Sequence, residues 1–278
     1  LSDLPAVPPL PFDELQIAFA GCANLCVYML GAAYALQQAP GSSKVKWRCS
    51  GGSSGAFVAA PFALGLDCAS MMLNIHERFV KERTRVGGCV GVYSRSVRGV
   101  LSDELQAARA EGRDPLKGAG CLSVSVTKFC PTPTHHGVTD FRSDEGLLDT
   151  VLASCYIPIA YEDPIVLQEL GFCVDGCVCS FLPAAQCIVS PYHCHKGDIS
   201  PLDEYDGSLV FNLLHGQDVL RLFEDGYLDC IAWLEAGAPS KAKERSAELP
   251  ASRRKSFQAL FLQGLRVFCS MAGLPSSR

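Results

Sequence analysis

Lys46-Trp47-Arg48-Cys49-Ser50-Gly51-Gly52-Ser53-Ser54-Gly55-Ala56-Phe57-Val58-Ala59-Ala60 is the stretch on which the reading of this chain turns. Residues 46–50 suit a short strand, Gly51-Gly52 a turn, and the apolar run over residues 54–64 a helix. Gly51-Gly52-Ser53-Ser54-Gly55 matches G-x-S-x-G, in which a tight strand-to-helix turn lifts a serine hydroxyl above the sheet edge. The glycines let the backbone turn. The helix N-terminus behind them offers unpaired N–H groups to negative charge developing on a carbonyl oxygen. Ser53 is therefore the candidate nucleophile, in an elbow made by Gly51, Gly52, Ser54 and Gly55. Five residues of common type are a weak signal alone, and a plain surface turn fits them as well.

Working outward, residues 15–20 have the content of a buried strand. Residues 17–36 carry no charge, long enough for a membrane-spanning helix. Gly21 and Asn24 interrupt that run, however, and residues 27–38 suit a separate helix ending before Pro40, so strand, turn and buried helix is the preferred reading. Strand-like stretches at 121–129, 171–174 and 187–190 alternate with helix-like ones at 143–155 and 216–236, a pattern that favours an α/β sheet. Residues 68–117 read as helical pieces broken at Gly87-Gly88 and Gly112, and are expected to form a mobile or variable insertion. No internal repeat is visible.

The expected organisation is an extended, proline-rich lead-in over residues 1–11, a folded domain over 12–237, a polar linker over 238–256 and an amphipathic helix over 257–278. In that last segment Phe257, Leu260, Phe261, Leu265, Phe268 and Met271 recur at helical spacing. The 48% hydrophobic and 19% charged content excludes disorder for most of the 278 residues. A net charge of −5 argues against nucleic acid as a partner. Fifteen cysteines fall below the roughly 8–10% that marks a disulfide scaffold and are odd in number, which fits a reducing compartment. The chain opens on Leu1, and localisation is not read from its N-terminus.

Two further segments sit at the ends of expected strands: Phe19-Ala20-Gly21-Cys22-Ala23-Asn24-Leu25-Cys26-Val27-Tyr28 upstream of the serine, and Val174-Asp175-Gly176-Cys177 downstream. With the serine elbow between them, and with Ser154-Cys155-Tyr156-Ile157-Pro158, Val189-Ser190-Pro191, Asp198-Ile199-Ser200-Pro201 and Asp225-Gly226-Tyr227 followed by Asp229, the chain resembles the patatin-like phospholipases over residues 12–237. The resemblance is to the branch containing adipose triglyceride lipase and adiponutrin. It implies a patatin-like three-layer α/β/α sandwich and a Ser-Asp dyad, with Ser53 attacking an ester carbonyl and Asp175, ahead of Gly176, acting as base. It assigns the oxyanion hole to Gly21, Cys22, Ala23 and Asn24, with no cofactor and no metal.

The same resemblance implies a serine lipid acyl hydrolase of the triacylglycerol lipase kind. Phospholipase A or acyltransferase activity on the same fold, and a catalytically weak or silent lipid-surface protein, are the alternatives. The implied partners are an acylglycerol or phospholipid substrate, a lipid droplet or membrane surface and a protein co-activator, in a cytoplasmic and peripheral location. Departures from the family pattern bear on competence. Ala23 and Cys26 stand at matched glycine positions, and Cys177 replaces the glycine or alanine usual after Asp-Gly. If the loop needs positive φ at Ala23, the strain is about 1–2 kcal/mol.

Two other constellations compete. A triad of Ser53, Asp175 and His193 or His195 has the order of an α/β-hydrolase, but fewer than sixty residues precede Ser53 and leave room for about two strands before the elbow. Cys173, Cys177, Cys179, Cys187, His193, Cys194 and His195 form the densest sulfur and imidazole cluster. They lack a clean pair of zinc knuckles, and buried cysteine often serves as a small hydrophobe. His76, His135, His136 and His215 read as surface or satisfied core histidines.

Overall fold

A computed structural model describes residues 4–86, 92–129, 132–157, 161, 164–180, 184–193, 197–210 and 214–242. In β1 (Glu14–Phe19) the exposed Glu14 and Gln16 alternate with buried Leu15 and Ile17 before the strand becomes wholly buried. It pairs in parallel with β2 (Lys46–Gly52) on one edge and β7 (Cys187–Val189) on the other. That interior place is what a continuous apolar run suits. β3 (Leu122–Lys128) continues the parallel set beside β2, while β4 (Thr134–Val138) and β6 (Gly171–Val174) run antiparallel to β3. β5 (Val166–Leu167) lies antiparallel to β6. Among the described residues the order is β5-β6-β3-β2-β1-β7, with β4 branching from β3. The sheet is mixed and helices connect its strands, so the fold is of the α/β class.

The register of β3 decides where the chemistry meets. β2 pairs with Leu122 to Ser125, β4 with Val124 to Lys128, and β6 with Thr127 and Lys128. A strand has two edges, so β4 fills one and β6 must share the other with β2. When the chain leaves β2 at Ser53, β6 takes over the vacated edge two residues further along, which carries Asp175, the residue after β6, back to the elbow.

The uncharged run over residues 17–36 is divided between β1 and α1 (Cys26–Gln38), which is buried almost all round. An apolar surface on every side marks a core helix as well as a membrane one. Among the described residues no helix is long and apolar enough to cross a membrane. α1 packs on α6 (Gly216–Glu235) at backbone distance. A Cβ on Gly31 would lie 1.9 Å from the Phe223 carbonyl oxygen, and one on Gly226 would lie 1.9 Å from that of Tyr28. The Asp225-Gly226-Tyr227 motif is thus a helix-packing device, with Asp225 and Asp229 accepting from the hydroxyls of Tyr205 and Tyr28 at 2.8 and 2.7 Å.

Within the expected insertion over residues 68–117, whose break at Gly87-Gly88 lies outside the described residues, the two described helices are instead part of the core. α3 (Cys68–Val86) and α4 (Tyr93–Ala110) bury Met71, Met72, Ile75, Val97, Val100, Leu101 and Leu105 against the rest of the domain. Both are amphipathic helices whose apolar faces are only visible at a 3.6-residue period. The lead-in is tied down from residue 5 onward by the Tyr227 hydroxyl, which donates to the Pro5 carbonyl at 2.8 Å. The Asp198 motif is also structural: its carboxylate accepts from the amides of Ile188 at 2.7 Å and Lys241 at 2.5 Å. The expected helix over 257–278 and most of the linker lie outside the described residues.

Candidate active site

Ser53 stands between β2 and α2 (Ser54–Leu64) with φ +55° and ψ −136°, a conformation that non-glycine residues rarely adopt. Such strain costs about 1–3 kcal/mol and persists only where surrounding contacts fix it. The Ser53 N–H donates to Ser154 Oγ at 2.9 Å, and that hydroxyl donates in turn to the Ser125 carbonyl at 2.6 Å. Ser154 sits near the end of α5 (Asp144–Cys155), a helix started by the Ser143 side chain accepting from the Gly146 N–H at 3.1 Å. Glycines complete the elbow by admitting backbone: a Cβ on Gly55 would be 2.1 Å from the Phe19 carbonyl oxygen, and one on Gly51 would be 2.2 Å from that of Gly55. Gly52 faces only ordinary van der Waals neighbours.

The Ser53 hydroxyl donates to Asp175 Oδ2 at 2.6 Å. The other oxygen, Oδ1, accepts from the Cys177 N–H at 2.8 Å, and the Asp175 N–H donates to the Tyr156 carbonyl at 3.0 Å. Asp175 is only 1% exposed. Burial, partly offset by the hydrogen bonds from Ser53 and Cys177, lifts its pKa to about 6. A carboxylate so placed is ionised at neutral pH yet more basic than one in water, the combination that general-base chemistry needs.

The loop over residues 21–24 lies against this pair. A Cβ on Gly21 would meet Cys177 Sγ at 2.3 Å and Ser53 Cβ at 3.1 Å. The Cys22 N–H donates to Ser54 Oγ at 2.9 Å. Ala23 has φ +48°, so the residue at a matched glycine position does occupy the left-handed region. Glycine there removes strain of about 1–2 kcal/mol but adds unfolded-state entropy worth about 0.4–1 kcal/mol. Ala23→Gly is expected to leave stability within about 1 kcal/mol of the parent and to maintain or raise turnover, as measured by denaturant melts and ester hydrolysis. A large fall in rate with a native melt would show that the Ala23 methyl serves the site.

Beyond the loop an apolar cavity is lined by Asn24, Cys26, Val27, Ile75, Phe79 and Tyr93, among others. A run of rings joins it to the acid: Phe79 and Tyr93 lie 4.9 Å apart, Tyr93 and Tyr161 5.5 Å, and Tyr161 and Tyr156 6.3 Å. Sequence reasoning named Ser154 and Tyr156 only as parts of a motif. Their roles, anchoring the Ser53 amide and the Asp175 amide, rest on contacts across residues distant in the chain and have no local signal.

The competing constellations do not assemble among the described residues. His193 Nδ1 lies 3.3 Å from the Pro201 carbonyl, and no described imidazole is hydrogen-bonded to Ser53 or Asp175. His195 and Cys194 lie outside the described residues. Cys173, Cys177 and Cys187 are buried, and no group of three or more His, Cys, Asp or Glu among the described residues is arranged to hold a metal ion. His135 instead approaches Ser125 Oγ at 3.2 Å.

Comparison with known proteins bears on this geometry. The chain is 28% identical over 215 residues to human patatin-like phospholipase domain-containing protein 4, covering 74% of this chain and 82% of that one. The crystal structure of VipD from Legionella pneumophila aligns with a TM-score of 0.47 and 14% identity, over 96% of this chain and 78% of the other. The sequence profile described as Patatin-like phospholipase matches residues 17–188, a span that holds the loop, the elbow and the Asp-Gly motif. The chain belongs to the patatin-like phospholipase family, a family of lipid acyl hydrolases.

Proposed function

We propose that the protein hydrolyses acylglycerol esters through a Ser53/Asp175 dyad. The observation that carries this reading is the 2.6 Å hydrogen bond from the Ser53 hydroxyl to a buried carboxylate whose pKa is lifted to about 6. In the acylation step Ser53 Oγ bonds to the ester carbonyl carbon while its proton passes to Asp175 Oδ2. The oxyanion takes hydrogen bonds from amides of the 21–24 loop other than that of Cys22, which donates to Ser54 Oγ, and from the start of α2, where backbone donors are worth most against developing charge. Collapse expels the alcohol, which leaves with the proton from Asp175. Water then attacks the acyl-enzyme, giving its proton to Asp175, and the fatty acid departs as Ser53 is restored.

The acylglycerol assignment draws on the apolar cavity beside the loop, whose walls suit an alkyl chain, and on the branch resemblance in sequence. Work at a droplet or membrane surface in the cytoplasm, with a protein co-activator, is part of the same proposal. The occupied Cys22 N–H favours a second reading, in which the hole is incomplete and the protein is a weak or silent lipid-surface protein. Purified protein is to be treated with a fluorophosphonate and assayed on emulsified triacylglycerol and on phospholipid. The expected result is a phosphonyl adduct on Ser53 and release of fatty acid from triacylglycerol in preference to phospholipid. No adduct and no release would favour the silent reading. An adduct with phospholipid preferred would move the assignment to phospholipase A.

A further inference from the structure

We infer that Cys49 and Cys121 form a dithiol site that hydroperoxides convert to an intramolecular disulfide. Cys49 lies in β2 and is 2% exposed, while Cys121 ends the 3-10 segment Pro115–Cys121 that feeds β3 and is half-buried. The register sets Cys49 opposite Leu122, so Cys121 is its diagonal neighbour. Strand spacing and rise put such Cα atoms about 6 Å apart, within the span of a disulfide. Both side chains face α2: Cys121 Sγ lies 3.9 Å from the Ala63 carbonyl, and Cys49 shares a face of β2 with Trp47, which packs on Phe62 at 4.9 Å. Neither belongs to the Ser53 machinery.

The two members differ in the way a reactive pair must. In its thiol form Cys121 donates to the Gly118 carbonyl at 3.1 Å, and when ionised it accepts from Cys49. That contact foremost, opposed by partial burial, lowers its pKa to about 7. Among the described cysteines whose thiols are shifted it is the one that moves down; burial pushes Cys22, Cys68, Cys155, Cys177 and Cys230 up. A thiolate with access to solvent is the nucleophile, and a protonated neighbour held beside it is the resolving thiol.

The Cys121 thiolate attacks the terminal oxygen of a hydroperoxide, forming an S–O bond and breaking the O–O bond. The alkoxide leaves and is protonated to the alcohol, and Cys121 becomes a sulfenic acid, oxidised by two electrons. Cys49, losing its proton, then attacks the Cys121 sulfur; the S–O bond breaks, water departs and the S–S bond forms. Two thiols and one hydroperoxide thus give a disulfide, an alcohol and water. An external dithiol reverses the oxidation.

Hydrogen peroxide is the probe, applied to the whole reduced protein at pH 7.5 and read by peptide mass spectrometry. Brief iodoacetamide treatment is expected to modify Cys121 at least about tenfold faster than Cys22, Cys68 or Cys230. One equivalent of peroxide should then link the Cys49 and Cys121 peptides with loss of two hydrogens, restored by dithiothreitol. In Cys49→Ser the oxidation should halt at a Cys121 sulfenic acid that dimedone captures. Cys121 alkylation no faster than that of the buried cysteines would overturn the inference in the unaltered protein, whatever the folding of the variant. So would a disulfide joining Cys121 to another cysteine, or a dimedone adduct that accumulates in the wild type.

Discussion

Ser53→Ala and Asp175→Asn are each expected to lower ester turnover by about 10³-fold or more while circular dichroism stays native. Alanine removes the oxygen that forms the acyl-enzyme. Asparagine retains the outline of the acid, and its carbonyl can still accept from the Cys177 N–H, but it has no basicity at neutral pH. His193→Ala is expected to keep most of the activity, because its imidazole faces the Pro201 carbonyl rather than Ser53. Retention of more than a tenth of wild-type turnover in Asp175→Asn, or collapse in His193→Ala, would reject the dyad.

The same substitution has a signature in stability that separates a buried base from a bystander. Asp175 has its folded pKa raised from an ordinary carboxylate value near 3.8 to about 6, so the native state holds the proton more tightly than the unfolded chain. The stability linked to it is present in full below about pH 3.8 and is lost as pH rises through about 6. Asparagine does not titrate. Between pH 4 and pH 8 the difference in unfolding free energy should therefore shift in favour of Asp175→Asn by about 2.4 kcal/mol, in urea melts at the two pH values. The wild-type kcat/KM should rise through about pH 6 to a plateau as the base ionises. A pH-independent stability difference would mean that Asp175 titrates as it does in water.

The parts of this site that were legible in the sequence are those written in consecutive residues. The turn at Gly51 to Gly55 announces itself because its glycines answer local backbone contacts, and Ala23 declares its left-handed conformation by standing where a glycine is usual. The meeting of Ser53 with Asp175, 122 residues later, depends on β6 entering the β3 edge that β2 leaves. No local pattern encodes that step, and only the likeness of motif order to a known family pointed to it. Ser154 is similar: a buried serine near a helix end looks like any small core residue until its partners, the Ser53 N–H and the Ser125 carbonyl, are known. β4 went unread because Thr134-His135-His136-Gly137-Val138 lacks the apolar alternation of a half-buried strand. α3 and α4 went astray for the opposite reason, since polar outer faces gave core helices the look of an insertion.

Gly226→Ala is expected to destabilise the protein by about 3 kcal/mol or more, and Gly99→Ala to be neutral or stabilising by up to about 1 kcal/mol. Both glycines lie inside helices, where alanine is intrinsically preferred by about 1 kcal/mol, so propensity alone predicts the same sign for the two. Their surroundings reverse one of them. At Gly99 the nearest atom to a new Cβ is Arg78 Nη1 at 2.5 Å, the mobile end of a long side chain that can swing aside. At Gly226 the obstacles are the Tyr28 carbonyl oxygen at 1.9 Å and carbon at 2.8 Å, which move only if α1 moves as a whole. Displacing α1 strains the Tyr28 to Asp229 hydrogen bond and opens the contact with Phe223 at Gly31. Because α1 follows directly on the 21–24 loop, it should also lower turnover in the fraction that still folds. Urea melts of the two variants side by side test this, and a Gly226→Ala protein as stable as Gly99→Ala would show that α1 and α6 do not meet at backbone distance.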